Sequence, residues 1–167
     1  MPTHYRKPMR LAGYDYASTE RACFITIDAK IRQLAPGSPL CWARPFAYEP
    51  LALRIVGALH HYERSSGLIL YAYSLMSNHL HILASASPQT GDIIKLFFRF
   101  KSYTTRCAWE YGVIGPLWLR DCYDHIERKT TGDFERITAY ILNNPVKAGL
   151  VARWEDHPYT KLIRGAS

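Results

Sequence analysis

Residues 68–85 read LILYAYSLMSNHLHILAS, and this stretch decides the fold. Two apolar runs, 68–75 and 79–84, flank the short step Met76-Ser77-Asn78. Each run has the length and the aromatic and branched content of a strand, so the pair reads as a β-hairpin or at least two adjoining strands. Side chains two apart on a strand point to one face. His79 and His81 therefore lie side by side while Leu80 turns to the core. Two imidazoles so placed can share one divalent metal, given one more protein ligand and open positions for a substrate. The same pattern also describes two histidines on a half-exposed strand, and a bare H-x-H does not separate the two.

Working outward, Cys23-Phe24-Ile25-Thr26-Ile27 is β-branched and aromatic and reads as a strand. Residues 33–50 hold Pro36, Pro39, Pro45 and Pro50 and read as a loop. From Leu51 the apolar positions Ile55, Ala58, Leu59 and Tyr62 recur at helical spacing, and Gly67 closes the helix. Beyond the paired strands a second helix is expected over 90–111, with Gly112 at its end. There Ile93, Ile94, Phe97, Phe98 and Ala108 alternate with Lys95, Arg99, Lys101 and Arg106. Residues 117–126 read as another strand. Gly132-Asp133 opens a third helix through Phe134, Ile137, Tyr140 and Ile141, which Pro145 is expected to stop.

Strand, helix, paired strands, helix, strand, helix is an α+β order, and it predicts an antiparallel sheet with helices packed mainly on one face. A length of 167 residues fits a single domain. Residues 1–20 form a basic, tyrosine-rich arm, and 152–167 a short tail that packs back through Trp154 and Tyr159.

The third helix carries a second chemical feature. Tyr140 and Asn144 are four residues apart and share a face one turn apart. If that face meets the histidines, Asn144 can supply a carbonyl oxygen as third ligand and Tyr140 a phenol to a bound phosphate. A nearby cation would make tyrosine a workable nucleophile despite a free pKa of about 10. A packed ring and a helix terminator would give the same two letters.

Composition narrows the partner. The formal net charge is +7, which fits a polyanion whose counterions are released on binding. Twelve tyrosines and four tryptophans add faces on which unpaired bases can stack. Cys23, Cys41, Cys107 and Cys122 form no C-x-x-C pair, which argues against a structural zinc site and fits a reducing compartment. No stretch approaches the roughly eighteen apolar residues of a membrane span, and the basic N-terminus lacks a signal-peptide apolar run. A soluble, cytoplasmic, nucleoid-associated protein is expected.

Three blocks, in order, resemble a known family. LMSNHLHIL (75–83) resembles the histidine–hydrophobic–histidine motif of single-tyrosine transposases. WLRDCYDHI (118–126) resembles their tryptophan-led strand ending in Asp-His, and AYILNNPVKAGLV (139–151) their tyrosine helix and its Asn-Pro-Val-Lys-Ala-Gly terminus. Lys101-Ser102-Tyr103-Thr104 adds a shorter match. The branch it resembles most comprises the transposases associated with repetitive extragenic palindromes (REP). Leu119 and Ser77 depart from the family's frequent Gln and Pro.

The resemblance implies a ferredoxin-like fold with the histidines on a central strand and the tyrosine on a nearby helix. It implies His79, His81 and Asn144 as ligands of Mg²⁺ or Mn²⁺. Two imidazoles favour Mn²⁺ at least as much as Mg²⁺. It implies single-stranded hairpin DNA as substrate and Tyr140 as nucleophile, through a covalent 5′-phosphotyrosine that frees a 3′-hydroxyl. Tyr103 and Tyr111 are rival nucleophiles that residue physics alone does not dismiss.

His60-His61 are neighbours on a helix, point about 100° apart and cannot chelate one ion as a pair, so both are read as surface residues. His125 is assigned a structural or DNA role. For DNA contacts the candidates are Arg6, Lys7 and Arg10 on the arm, with Arg99, Lys101 and Arg106 on the second helix. Two other readings stand beside the transposase: a non-catalytic hairpin-binding protein of the same fold, and a metal-dependent phosphodiesterase that uses water. The short tail favours a monomer.

Overall fold

The computed structural model describes residues 15–165 except 19, 122 and 129–131, and gives only the backbone course of 123–128. Its main sheet has five antiparallel strands: β1 (Arg21–Asp28), β3 (Ile69–Leu75), β4 (His79–Ser85), β6 (Tyr123–Arg128) and β7 (Thr160–Leu162), in the order β6-β1-β4-β3-β7. A separate two-stranded ribbon joins β2 (Gln33–Leu34) to β5 (Val113–Ile114). Among the described residues three α-helices accompany the strands: α1 (Glu49–Ser66), α2 (Ile93–Trp109) and α3 (Gly132–Lys147). β1, α1, β3, β4, α2 and β6 make the expected ferredoxin-like unit, with the histidine strand β4 at its centre.

Local chemistry sets the element ends. Pro50 stands in the first turn of α1, where a missing N–H costs nothing, and Gly67 ends the helix at φ 68°, a left-handed conformation that favours glycine. Asp92 caps α2, its carboxylate accepting from the N–H groups of Ile94 at 3.0 Å and Lys95 at 3.1 Å. In β3 and β4 every residue but the first is buried. Strands buried throughout belong to a sheet covered on both faces.

Two apolar clusters do the covering. Ile25, Ile27, Leu80 and Ile82 pack against α1 and α2 through Leu51, Ile55, Phe97 and Phe100. On the opposite face Ala22, Tyr71, Ala72 and Leu83 pack against Phe134, Ile137, Ile141 and Leu142 of α3. Two helices thus share a face as expected, and the third crosses to the other.

Three boundaries differ from the sequence expectation. The strand expected over 117–126 begins only at Tyr123. Before it, the chain is tied to the end of β1 by a single Ala29–Trp118 bridge and by bonds from Lys30 N–H to Leu117 O and Leu119 N–H to Asp28 O, each 2.8 Å. The buried Trp118 ring faces Phe46 and Phe100, so its apolar letters belong to a tethered loop. Pro145 lies inside α3, which runs on to Lys147. A proline so near a helix end removes one intrahelical bond and costs less than in mid-helix. The tail does more than pack: β7 extends the sheet at β3, and His157 and Ser74 both hydrogen-bond the buried Thr160 hydroxyl, at 2.8 and 2.7 Å.

Candidate active site

The site is built where β1 and β4 run antiparallel beneath α3. Register places Thr26 opposite His81 and Asp28 opposite His79. The two imidazoles share the α3 face, with ring centroids 4.6 Å apart, while Leu80 between them enters the α1/α2 core. Tyr140 on α3 stands over this pair, its ring centroid 5.6 Å from that of His81. Phe24, two residues before Thr26 on the same face of β1, packs against both, at 5.6 Å from His81 and 5.9 Å from Tyr140.

Hydrogen bonds orient the imidazoles. Asn78 Oδ1 accepts from His79 Nδ1 at 2.7 Å, and Thr26 Oγ1 lies 2.8 Å from His81 Nδ1. Donation from Nδ1 to Asn78 leaves His79 Nε2 its lone pair for a ligand, and the His81 tautomer that donates from Nδ1 to Thr26 does the same. Burial lowers the pKa of His79, against the opposing pull of Asp28. Burial and then the neighbouring His79 push His81 down to about 3. Neutral imidazole is the form that binds metals, so both rings are in their ligating state at neutral pH.

On the helix side, Tyr140 is 42% exposed, which leaves it open to an incoming substrate. Asn144, half-buried one turn on, donates from Nδ2 to Tyr140 O at 2.9 Å, which leaves its side-chain carbonyl free to accept or ligate. Lys147 Nζ stands 5.2 Å from the centroid of the Tyr140 ring. A cavity of about 570 Å³ opens beside Tyr140, with Phe24, Arg136, Asn143 and Lys147 in its wall.

Among the described residues no group of three or more His, Cys, Asp or Glu could hold a metal. His79, His81 and Asn144 carry two imidazole nitrogens and one amide oxygen, donors of the kind that could hold a divalent cation. That set leaves coordination positions for phosphate oxygens.

The other candidates separate. Tyr103 lies on α2, across the sheet from the imidazoles, and is 40% exposed. Tyr111 packs edge-on against Tyr48. Arg99 and Arg106 are exposed on α2. Lys101 is buried, its ammonium donating to Leu119 O at 2.6 Å and Arg120 O at 2.8 Å. Those two carbonyls hold the loop before β6, so this lysine does not stand free at the surface as Arg99 and Arg106 do. Arg6, Lys7 and Arg10 lie outside the described residues. His125 stands opposite Phe24 in the β1–β6 pairing. His61 is exposed as expected, but His60 is not a plain surface residue: its Nδ1 lies 3.2 Å from Glu63 and its Nε2 3.1 Å from the Tyr73 hydroxyl.

Sequence reasoning missed Thr26, Phe24 and Lys147 as site residues. Phe24 and Thr26 alternate with buried Cys23, Ile25 and Ile27, which marks them as facing the other side of the sheet. Only the strand register reveals what they meet there.

No family model matches the sequence. The chain is 27% identical over 163 residues to an uncharacterized protein of Haemophilus influenzae, covering 86% of this chain and 89% of that one. Among solved structures it is similar to the REP-associated tyrosine transposase bound to a REP hairpin, with a TM-score of 0.68 and 18% identity. That match covers 90% of this chain and 82% of the other. The chain has the fold of a REP-associated tyrosine transposase.

Proposed function

We propose that the protein is a transposase: a metal-dependent enzyme that nicks and rejoins single-stranded hairpin DNA through a covalent 5′-phosphotyrosine. The observation that carries this reading is the placement of Tyr140 over the neutral pair His79 and His81, within one chain. The likeness of fold to a transposase bound to a REP hairpin supports it.

In this reading Tyr140 Oη attacks the scissile phosphorus, and the bond to the 3′ oxygen breaks. The phenol's proton is lost to solvent, and the departing oxygen takes up a proton to become a free 3′-hydroxyl. A later 3′-hydroxyl attack on the phosphotyrosine reverses the exchange, so strands rejoin without ATP. His79, His81 and Asn144 would hold Mg²⁺ or Mn²⁺. That cation supplies positive charge, which draws electron density from the phosphate and favours the phenolate. Thr26 and Asn78 hold the imidazoles in their ligating orientation, Phe24 excludes water from one flank, and Lys147 brings a second positive charge to the phosphate. Because Tyr140 and His81 meet in one subunit, the chain needs no second copy to complete the site, which supports action as a monomer. Among the described residues no helix is long and apolar enough to cross a membrane.

The test is a pool of end-labelled single-stranded hairpins, taken from sequence flanking the gene and incubated with Mn²⁺. A denaturation-resistant protein–DNA adduct is expected, lost in Tyr140→Phe and with chelator. Metal-dependent cutting that survives Tyr140→Phe would replace this mechanism with attack by water. Tight binding without cutting by the native protein would reduce it to hairpin recognition.

A further inference from the structure

A larger cavity, of about 610 Å³, lies away from Tyr140, between α2 and the segments that follow β1 and precede β6. Its lining combines two features. The first is a pair of exposed rings on α2, Phe98 at 43% and Trp109 at 52%. Both project from the solvent side of a helix whose other side is buried, into the same cavity.

Both rings are held in place. Trp109 Nε1 donates to Gly115 O at 2.8 Å. Phe98 has the Lys101 ammonium 5.8 Å from its centroid, and that ammonium is itself anchored by Leu119 O and Arg120 O. Fixed rings lose little freedom on binding, which favours them as stacking platforms.

The second feature is charge. Lys30, Arg32, Arg106 and Arg120 line the same cavity, and among the described residues no carboxylate stands in its wall. Among the described residues none of the four takes part in an ion pair. Four uncompensated cations beside two flat rings fit a polyanion that also offers flat faces. Unpaired nucleotides have both, whereas a duplex hides its base faces inside the stack. Phe98 and Trp109 are roughly 16 Å apart along the helix, so one strand can stack different bases on each.

The cavity also adjoins the end of the sheet where the histidines sit. Lys30 follows Asp28 by two residues, Asp28 stands opposite His79, and Leu119 of the lining bonds to Asp28 O. We infer that this groove is a second DNA site, which holds unpaired nucleotides of the strand whose phosphate lies at Tyr140. Their bases stack on Phe98 and Trp109, and their phosphates meet the four cations. The inference rests on the reading of the Tyr140 site as a DNA-cutting centre, but its test does not require cutting.

Fluorescence anisotropy with labelled (dT)12, (rU)12 and a duplex of the same length, in chelator, reads binding alone. The double variant Phe98→Ala/Trp109→Ala should weaken (dT)12 at least tenfold and the duplex less than twofold. Trp109→Phe should retain most of the affinity, because it keeps a ring. Arg106→Gln with Arg120→Gln should flatten the salt dependence. A (dT)12 carrying 5-iodouracil should photocrosslink to the peptide containing Trp109. Unchanged (dT)12 affinity in the double variant, equal loss for the duplex, or tighter binding of (rU)12 would overturn the inference. A protein that forms the Tyr140 adduct but ignores loss of both rings refutes this groove alone. One that makes no adduct yet needs the rings for (dT)12 refutes only the cutting reaction.

Discussion

The two faces of the central sheet are made by the same strands and do different work. Toward α1 and α2, Ile25, Ile27, Leu80 and Ile82 are at most 1% exposed and meet other apolar side chains. Toward α3, the alternate residues of the same strands are Thr26, Asp28, His79 and His81, and the helix above them presents Tyr140, with Asn144 one turn on. One face is a dry core whose burial stabilises the domain. The other is half core, through Leu83, Ile137 and Ile141, and half polar site. Apolar core and polar candidate site are therefore divided by the pleat of a strand, so neighbouring substitutions should have unlike consequences.

The sharpest break lies across α3. Mixing His81→Ala with Tyr140→Phe should leave adduct formation at least about 10³-fold below the native protein, because each variant lacks a group its own site needs. Recovery in the mixture would mean that the tyrosine acts from a second subunit. On the dry face, Ile82→Ala should cost about 2–5 kcal/mol of unfolding free energy, read by denaturant titration, with adduct yield per folded molecule unchanged. Equal loss of stability and turnover would erase the distinction between the faces.

A smaller effect sharpens the polar face itself. Thr26→Val keeps the shape of the side chain but removes the partner of His81 Nδ1, and should raise the Mn²⁺ concentration needed for half-maximal activity about 10–100-fold. Its melting temperature should move little. The smallest effect is set by acid. His81 has a folded pKa of about 3 against an ordinary 6.5, so between these values the unfolded chain binds the extra proton. Stability is full above about 6.5 and should fall by about 1–2 kcal/mol from pH 7 to 5 in chelator, before most carboxylates titrate. A flat profile, or one unaltered in His81→Ala, would remove His81 as the cause.

What could be read without coordinates was what short range dictates. The H-x-H alternation placed both imidazoles on one face, and the four-residue step from Tyr140 to Asn144 placed both on one side of α3, because strand and helix periods act within a few residues. What could not be read depends on pairing. Thr26 becomes a partner of His81 only through the β1–β4 register, across a gap in sequence that no local pattern encodes. Lys101 looked like its exposed neighbours Arg99 and Arg106 because its charge is visible in sequence, and the two carbonyls that hold it are not. The step from β3 and β4, apolar almost without interruption, to a sheet covered on both faces could have been taken from the letters alone. It would have put α3 opposite α1 and α2.

The position of β1 has a consequence in time. It is the earliest of the five main strands to be synthesised, yet it lies inside the sheet, and one of its partners, β6, follows roughly one hundred residues later. At about 5–20 residues per second, the segment RACFITID leaves the ribosome on the order of 5–20 s before its second edge can be satisfied. Throughout that interval a β-branched, aromatic strand offers open backbone to any neighbour, so slow translation between β4 and β6 should be what most endangers the yield of folded protein.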